Sequence, residues 1–282
     1  MRMFRYGISC ALEPLPTSQP TVFRGSIEDV ARSVSETGYD GIELFLRNPG
    51  QFAPTELRAT ASRYGLQYCA IATGMEYTLN RLCLIGEDCA ARAAAVERLM
   101  RHLDLGAEIG CPVIVGIMRG NIPDSTRQSE YLEMLSDALV KLSRYAEQTG
   151  GSIVVEAILR YINNYLNSST ETADYLRSLG LKNIRLHLDT HSMLIEDKSL
   201  AQSILDTSDI LGYMHFSDSN RGYPGAGNMD FKPVMAALRK IGYDGYITVE
   251  SLPYPSETAC AHRGIQYLNA LEKALDIESS EK

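Results

Sequence analysis

Eight apolar runs alternate with amphipathic segments along the chain, and this alternation constrains the fold more than any other feature. The runs occupy residues 4–9, 41–45, 66–72, 113–117, 153–156, 184–188, 210–216 and 246–249. Most of the amphipathic segments end at a glycine, as expected for helices that close on a left-handed residue. These glycines are Gly38, Gly65, Gly110, Gly150, Gly180 and Gly242. The pattern predicts eight strand–helix units.

The apolar runs are continuous instead of alternating with polar residues, which is typical of strands buried on both faces of a parallel sheet. Between them, Leu132, Leu135 and Leu139 illustrate the helical period, and Ser168 stands at an expected N-cap. Eight such units with right-handed crossovers close naturally into a barrel. We therefore predict an α/β protein, a (β/α)8 TIM barrel formed as a single domain by residues 1–282.

An open, doubly wound sheet is the structural alternative. Such a sheet would need a glycine-rich phosphate loop directly after its first strand. The residues that follow Ser9 read Cys-Ala-Leu-Glu-Pro-Leu-Pro and contain no glycine. The barrel is therefore preferred.

The charge balance restricts the partners of this chain. Its 282 residues include 27 Lys and Arg against 35 Asp and Glu, a formal net charge of −8. A negative surface without basic runs repels phosphate backbones and anionic lipids. We expect no nucleic-acid or membrane partner.

Polar residues interrupt the apolar runs at the carboxyl ends of the last four predicted strands. These residues are Glu156, Asp189, His215 and Glu250. In a barrel the carboxyl ends of the strands meet at one mouth, where active sites form. Three carboxylates and one imidazole should therefore converge there.

Three converging carboxylates would repel one another and become protonated unless a cation compensates them. An oxygen-rich ligand set with one nitrogen is typical of Mn²⁺, Mg²⁺ or Co²⁺ sites, whereas structural zinc sites favour thiolates. We predict one divalent metal ion bound by Glu156, Asp189, His215 and Glu250. Mn²⁺ is the expected ion, with Mg²⁺, Co²⁺ or Zn²⁺ as alternatives.

Four stretches of sequence carry a resemblance to a known family. E-A-I-L-R-Y from Glu156 is similar to the family's E-P-L-N-R-Y, and H-L-D-T from His187 matches its H-L-D-T. The H-x5-R that starts at His215 and the G-Y-D-G-x4-E that starts at Gly242 also match. The chain thus resembles the sugar phosphate isomerase/epimerase family, the xylose-isomerase-like TIM barrels that include ketose 3-epimerases and, more distantly, endonuclease IV.

The resemblance implies a function for the strand-end residues. It implies that Glu156, Asp189, His215 and Glu250 hold the metal and that Glu156 and Glu250 also transfer protons. The expected activity is a metal-dependent isomerisation or 3-epimerisation of a keto sugar or sugar phosphate through an enediolate.

Further residues are candidates for substrate binding. The family match makes Arg221 a contact to a substrate oxygen. His191 is a candidate from its place just after Asp189, and Arg119, at the end of the fourth predicted strand, could reach a phosphate or carboxylate.

Two positions depart from the family pattern. Where ketohexose 3-epimerases carry a glutamate and a histidine that hold sugar oxygens, this chain has Ile162 and Ser192. A sugar hydroxyl that faces Ile162 would lack a hydrogen-bond partner, which is costly. We expect poor activity on free ketohexoses and better activity on a substrate with an apolar, deoxy or phosphorylated end.

Two other functions remain open on the same barrel. One is a lyase of the inosose dehydratase type, which uses similar enolisation but expels a hydroxyl group. The other is a non-catalytic sugar-binding barrel, which would be expected to lack a metal ligand. An endonuclease IV type enzyme needs more histidines than the five present and a basic face.

The sequence also suggests a compartment. Six scattered cysteines without a C-x-x-C pair, and no apolar signal region near Met1, favour a reducing cytoplasm. We also expect a homo-oligomer.

Overall fold

The computed structural model describes residues 2–280, and its centre is a closed barrel of eight parallel strands. Each strand pairs with the next along the chain, and the first pairs with the last. The prediction of a (β/α)8 barrel is confirmed. The barrel strands are β1 (Arg5–Ala11), β2 (Gly41–Phe45), β3 (Gln67–Ala72), β4 (Val113–Val115), β5 (Ile153–Glu156), β6 (Ile184–Asp189), β7 (Leu211–Phe216) and β8 (Tyr246–Val249). A further strand of two residues, Phe23–Arg24, pairs with the end of β1.

Helices cover the outside of the barrel, and two short ones, Gly74–Thr78 and Thr190–Glu196, follow strand ends at its mouth. The helices are α1 (Ile27–Thr37), α2 (Pro54–Arg63), α3 (Gly74–Thr78), α4 (Cys89–Ile109), α5 (Gln128–Thr149), α6 (Ser169–Leu179), α7 (Thr190–Glu196), α8 (Leu200–Asp206), α9 (Lys232–Lys240) and α10 (Glu257–Ser280). None of the described helices is long and apolar enough to cross a bilayer.

The local signals in the sequence correspond to the helix ends. Gly38, Gly110, Gly150 and Gly180 each follow a helix in the left-handed conformation. At the other end of α6, the hydroxyl of Ser168 accepts a hydrogen bond from the backbone N–H of Glu171. These caps fix where each chain segment turns back toward the barrel.

The core has two layers. One lies between the strands and the surrounding helices, with Ile8, Leu44 and Leu186 among its fully buried side chains. The other fills the barrel interior, where Ala70 and Val154 pack below the mouth. With both faces of the sheet buried, the strand ends are left as the place where polar side chains gather.

One strand ends earlier than the sequence predicts. The apolar run predicts a strand over residues 113–117, but β4 stops at Val115. Gly116 then leads into a single 3-10 turn, Ile117–Arg119. Ile117 and Arg119 therefore do not follow the alternation of a strand.

Candidate active site

The four strand-end residues line one cavity of about 430 Å³ at the barrel mouth. Glu156 ends β5, Asp189 ends β6, His215 lies one residue before the end of β7, and Glu250 follows β8 directly. Asp189 and His215 are direct partners in the pairing of β6 with β7. The parallel register therefore brings these groups together from four consecutive strands.

A carboxylate that the sequence analysis did not select supports His215 from behind. Glu43, in the middle of β2, is fully buried, and its Oε2 lies 2.7 Å from Nε2 of His215 and accepts a hydrogen bond from Tyr213 Oη at the same distance. With the Nε2 proton held by Glu43, Nδ1 is the nitrogen that faces the cavity carboxylates, 3.4 Å from Glu250 Oε2. The sequence does carry a signal for Glu43, because a carboxylate is unusual inside an apolar run such as residues 41–45.

Charge is concentrated at this end of the cavity. Burial, followed by repulsion from Glu250, raises the pKa of Glu156 to about 8. Burial alone would also raise the pKa of Glu250, but His215 and Arg221 outweigh it and lower that pKa to about 2. Burial disfavours the charged form of His215, yet Glu43 and Glu250 raise its pKa. The carboxylates of this site thus carry more negative charge than His215 and Arg221 can balance.

The donor set fits a divalent cation. Nδ1 of His215 is buried and has no hydrogen-bond partner among the described residues. Two clusters that share the imidazole of His215 have ligand atoms within 4.8 Å of one another: Glu156 with His187 and His215, and Glu43 with His215 and Glu250. Asp189, the fourth predicted ligand, lines the same cavity but belongs to neither cluster. Oxygen ligands with one imidazole are the donors that Mn²⁺ and Mg²⁺ prefer, and a cation would relieve the repulsion among the carboxylates.

Arg221 connects two of these carboxylates. Its guanidinium donates to Asp189 Oδ2 and Glu250 Oε2, and to Ser217 Oγ at 2.8 Å. The residue has a positive φ of 59°, which its loop holds in place. The buried carboxylate of Asp218 shapes that loop by accepting backbone hydrogen bonds from Ser219, Gly225 and Met229.

The other predicted substrate residues lie in the same cavity, with one exception. His191, Ser192 and Ile162 all line it. His191 and Ser192 both reach the cavity because α7 already begins at Thr190, so the alternation of a strand no longer applies. Ser192 Oγ accepts a hydrogen bond of 3.3 Å from the backbone N–H of Leu159, and Ile162 remains 53% exposed.

The exception is Arg119, which the structure does not place among the residues that line the cavity. Its side chain is fully buried, donates to the backbone carbonyl of Leu166 at 3.2 Å and lies over the ring of Tyr165. The early end of β4 explains this position, because the 3-10 turn directs Ile117 into the cavity and Arg119 behind its wall. The expected contact of Arg119 with a substrate phosphate has no support in this geometry.

His187 lies below the carboxylates and packs edge-on against the rings of His215 and Tyr213. Both of its ring nitrogens are buried without a hydrogen-bond partner among the described residues. Burial, followed by repulsion from His215, lowers its pKa, so the ring is held neutral.

The fold and this site define an enzyme-like barrel with a carboxylate–imidazole centre, and comparison with known proteins identifies its family. Residues 31–271 match the family model described as xylose isomerase-like TIM barrel. The chain belongs to this family.

Three similar proteins illustrate the family. The ketose 3-epimerase of Arthrobacter globiformis is 33% identical over 77% of this chain and 74% of its own length. The 3-dehydro-D-guloside 4-epimerase of Escherichia coli is 28% identical over 88% of this chain and 95% of its own length. A solved structure of an L-ribulose 3-epimerase superposes with a TM-score of 0.83 and 23% identity, over 98% of this chain and 97% of that one. Both of these curated relatives are named epimerases.

We predict that Gly116→Ala lowers turnover by about 10-fold and leaves the fold intact. A Cβ at this position would lie 2.5 Å from Glu156 Oε2, so the flexible carboxylate would have to move. A displacement of a reacting group by about 1 Å can cost up to about 10²-fold in rate. Activity and thermal unfolding of the purified variant measure both effects.

Gly74→Ala is the matched control, because Gly74 lines the same cavity but a Cβ there would meet nothing closer than 3.5 Å. We expect this variant to retain wild-type turnover. Equal turnover of wild type and Gly116→Ala would contradict the inferred position of Glu156.

Proposed function

We propose that this protein is a metal-dependent epimerase or isomerase that acts on a keto sugar through an enediolate. The observation that carries the proposal is the convergence of Glu156, Asp189, His215 and Glu250 in one cavity at the barrel mouth. The kinship with named ketose epimerases supports the same reaction class.

The four residues would hold one divalent cation, for which Mn²⁺ is our first choice. His215 would bind it through Nδ1, since Glu43 occupies the other nitrogen. When bound, the cation would stabilise negative charge on the substrate oxygens next to the reacting carbon.

Glu156 and Glu250 would transfer the protons. They approach the cavity from β5 and β8, with β6 and β7 between them, so a substrate between them presents a different face to each. One carboxylate removes the proton from the carbon beside the carbonyl, and the electron pair moves into the enediolate. The other returns a proton on the opposite face, which inverts that carbon.

Arg221 and His191 would orient the substrate. The guanidinium of Arg221 already lies against Asp189 and Glu250, so it can donate to an oxygen of a sugar bound there. His191 lines the same cavity and provides a further polar group. We also propose a small-molecule partner only, and a homo-oligomeric assembly.

The experiment that tests this function is deuterium exchange. A panel of ketoses is incubated in D₂O with the Mn²⁺-loaded protein, and deuterium in the recovered sugar is measured by mass spectrometry. We expect incorporation at one carbon beside the carbonyl, because proton removal to Glu156 or Glu250 allows exchange with solvent. Absence of exchange into every ketose would contradict the proposal.

The same samples separate the alternatives. A dehydratase would lose water and give a conjugated product with new ultraviolet absorbance, which an epimerase does not. A non-catalytic sugar-binding barrel would bind ketoses without incorporating deuterium.

A further inference from the structure

One segment of the cavity lining belongs to neither a helix nor a strand. It consists of residues 13–20, between β1 and the two-residue strand that pairs with it, and we name it the mouth strap. Its last three residues, Ser18, Gln19 and Pro20, line the cavity. Because β1 pairs with β8, the mouth strap enters the cavity beside the strand end that Glu250 follows.

Two side chains of the barrel hold the mouth strap through its backbone. Arg24, whose side chain is 10% exposed, donates to the carbonyl of Gln19 at 3.0 Å and to that of Pro16 at 3.4 Å. The hydroxyl of Ser9 donates to the carbonyl of Pro20 at 3.0 Å. Three carbonyls of the strap are thus bound to the barrel.

The guanidinium of Arg24 is itself fixed in place. Its backbone pairs with Ala11 in the sheet, and its Nη1 donates to the carbonyl of Val22 at 3.5 Å and to Glu257 Oε1 at 3.4 Å. An arginine presents five donors in a rigid fork, so one side chain can hold several carbonyls and a carboxylate together. The ammonium of a lysine cannot reproduce this arrangement.

The carbonyls that Arg24 binds also close two turns within the mouth strap. The N–H of Gln19 donates to the carbonyl of Pro16 at 3.0 Å, and the N–H of Thr21 donates to the carbonyl of Gln19 at 2.8 Å. The strap contains three prolines, whose fixed φ lowers the entropy cost of ordering it. The two turns therefore depend on the same carbonyls that Arg24 holds.

Gln19 is the strap residue suited to bind a sugar. Its backbone carbonyl is held by Arg24, whereas its side chain carries the only amide among the described residues that line the cavity. An amide both donates and accepts hydrogen bonds, whereas an ionised carboxylate only accepts and a guanidinium only donates. Gln19 can therefore bind a hydroxyl group in either role.

We propose that Arg24 is a positioning residue that holds the mouth strap over the cavity, so that the amide of Gln19 contacts a hydroxyl group of the bound keto sugar. The nature of the ligand rests on the proposed function, whereas the hold of Arg24 on the strap does not. Arg24 is not among the described residues that line the cavity, so it acts through Gln19.

Hydrogen exchange measured by mass spectrometry tests the role of Arg24 without any sugar. The reporting amides are those of Gln19 and Thr21, which are bonded inside the strap. Arg24→Met keeps the aliphatic stem but removes the donors. We expect exchange over residues 13–21 to become about 10-fold faster or more, the effect of losing hydrogen bonds to a charged group. Exchange in the barrel strands should stay unchanged, which shows that the variant is folded.

Two further variants make this measurement specific. Arg24→Lys keeps the charge without the fork of donors and should give an intermediate exchange rate. Arg177→Met is the matched control, because Arg177 also binds a carbonyl, that of Asp206 at 2.9 Å, and a carboxylate, that of Asp209 at 2.5 Å. Arg177 is not among the described cavity residues, and its substitution should leave strap exchange at the wild-type rate.

Kinetics with a ketose that the wild type turns over tests the contact made by Gln19. Arg24→Met and Gln19→Ala should each raise KM by about 3- to 10-fold, the range for loss of one hydrogen bond. Both should leave kcat unchanged, because neither residue touches the reacting carbon. Gln19→Ala should also keep wild-type strap exchange, since its backbone still bonds to Arg24.

The outcomes separate the parts of the inference. Wild-type strap exchange in Arg24→Met would overturn the role of Arg24, and an unchanged KM in Gln19→Ala would overturn the contact with the sugar. If the wild type turns over no ketose, the proposed function fails. Faster strap exchange in Arg24→Met would in that case still support Arg24 as the residue that positions the strap.

Discussion

Glu250→Gln and Glu156→Gln should each lower the rate of epimerisation at least about 10²-fold, the lower range for loss of a positioned proton-transfer group. Glutamine keeps the size of glutamate but cannot accept and return a proton. Each variant, however, keeps the other glutamate on its own face of the substrate. With Mn²⁺ raised until each variant is saturated, we therefore expect deuterium exchange to continue into one epimer only, and a different one for each variant.

Nuclear magnetic resonance of the recovered sugar measures exchange and inversion in the same sample. The control is Glu272→Gln, at a buried carboxylate that bonds to Tyr6 and Phe4 away from the cavity. It should epimerise at the wild-type rate. Full epimerisation activity in Glu250→Gln would refute the two-carboxylate mechanism, whatever its metal content.

The barrel, and the meeting of the strand-end side chains in one cavity, could be predicted because both follow from position along the chain. Continuous apolar strands that alternate with capped helices allow few other folds, and the barrel then assigns a shared mouth to the strand ends. Glu156, Asp189 and Glu250 stand at or just after those ends. No knowledge of side-chain packing is needed for that step.

Contacts that depend on barrel closure or on local turns could not be predicted in this way. Glu43 meets His215 across 172 residues of sequence, and only closure of the barrel brings β2 opposite β7. Arg119 does not reach the cavity because β4 ends two residues before the apolar run does. His191 reaches it because a helix replaces the strand at Thr190.

Metal binding should depend on Glu43 as well as on the ligands themselves. Glu43→Gln removes the negative charge behind His215, so the imidazole becomes a weaker and less firmly oriented ligand. Loss of such a partner lowers metal affinity by about 10- to 100-fold. Asp189→Asn, which removes a proposed ligand charge, should lower the affinity at least as much.

Calorimetric titration of the metal-free proteins with Mn²⁺ gives the metal affinities directly and requires no substrate. Glu76→Gln is the matched control, because Glu76 and His102 form a second buried glutamate–histidine pair, 2.8 Å apart, that contributes no residue to the two candidate ligand clusters. Its substitution should leave Mn²⁺ affinity unchanged.

If Glu43→Gln and Glu76→Gln both bind Mn²⁺ as tightly as wild type, Glu43 does not tune His215. If Asp189→Asn does so too, the proposed ligand set is wrong. Weakening in Glu43→Gln alone among the two paired variants would show that the charge of Glu43, and not burial of a carboxylate as such, sets the strength of the site.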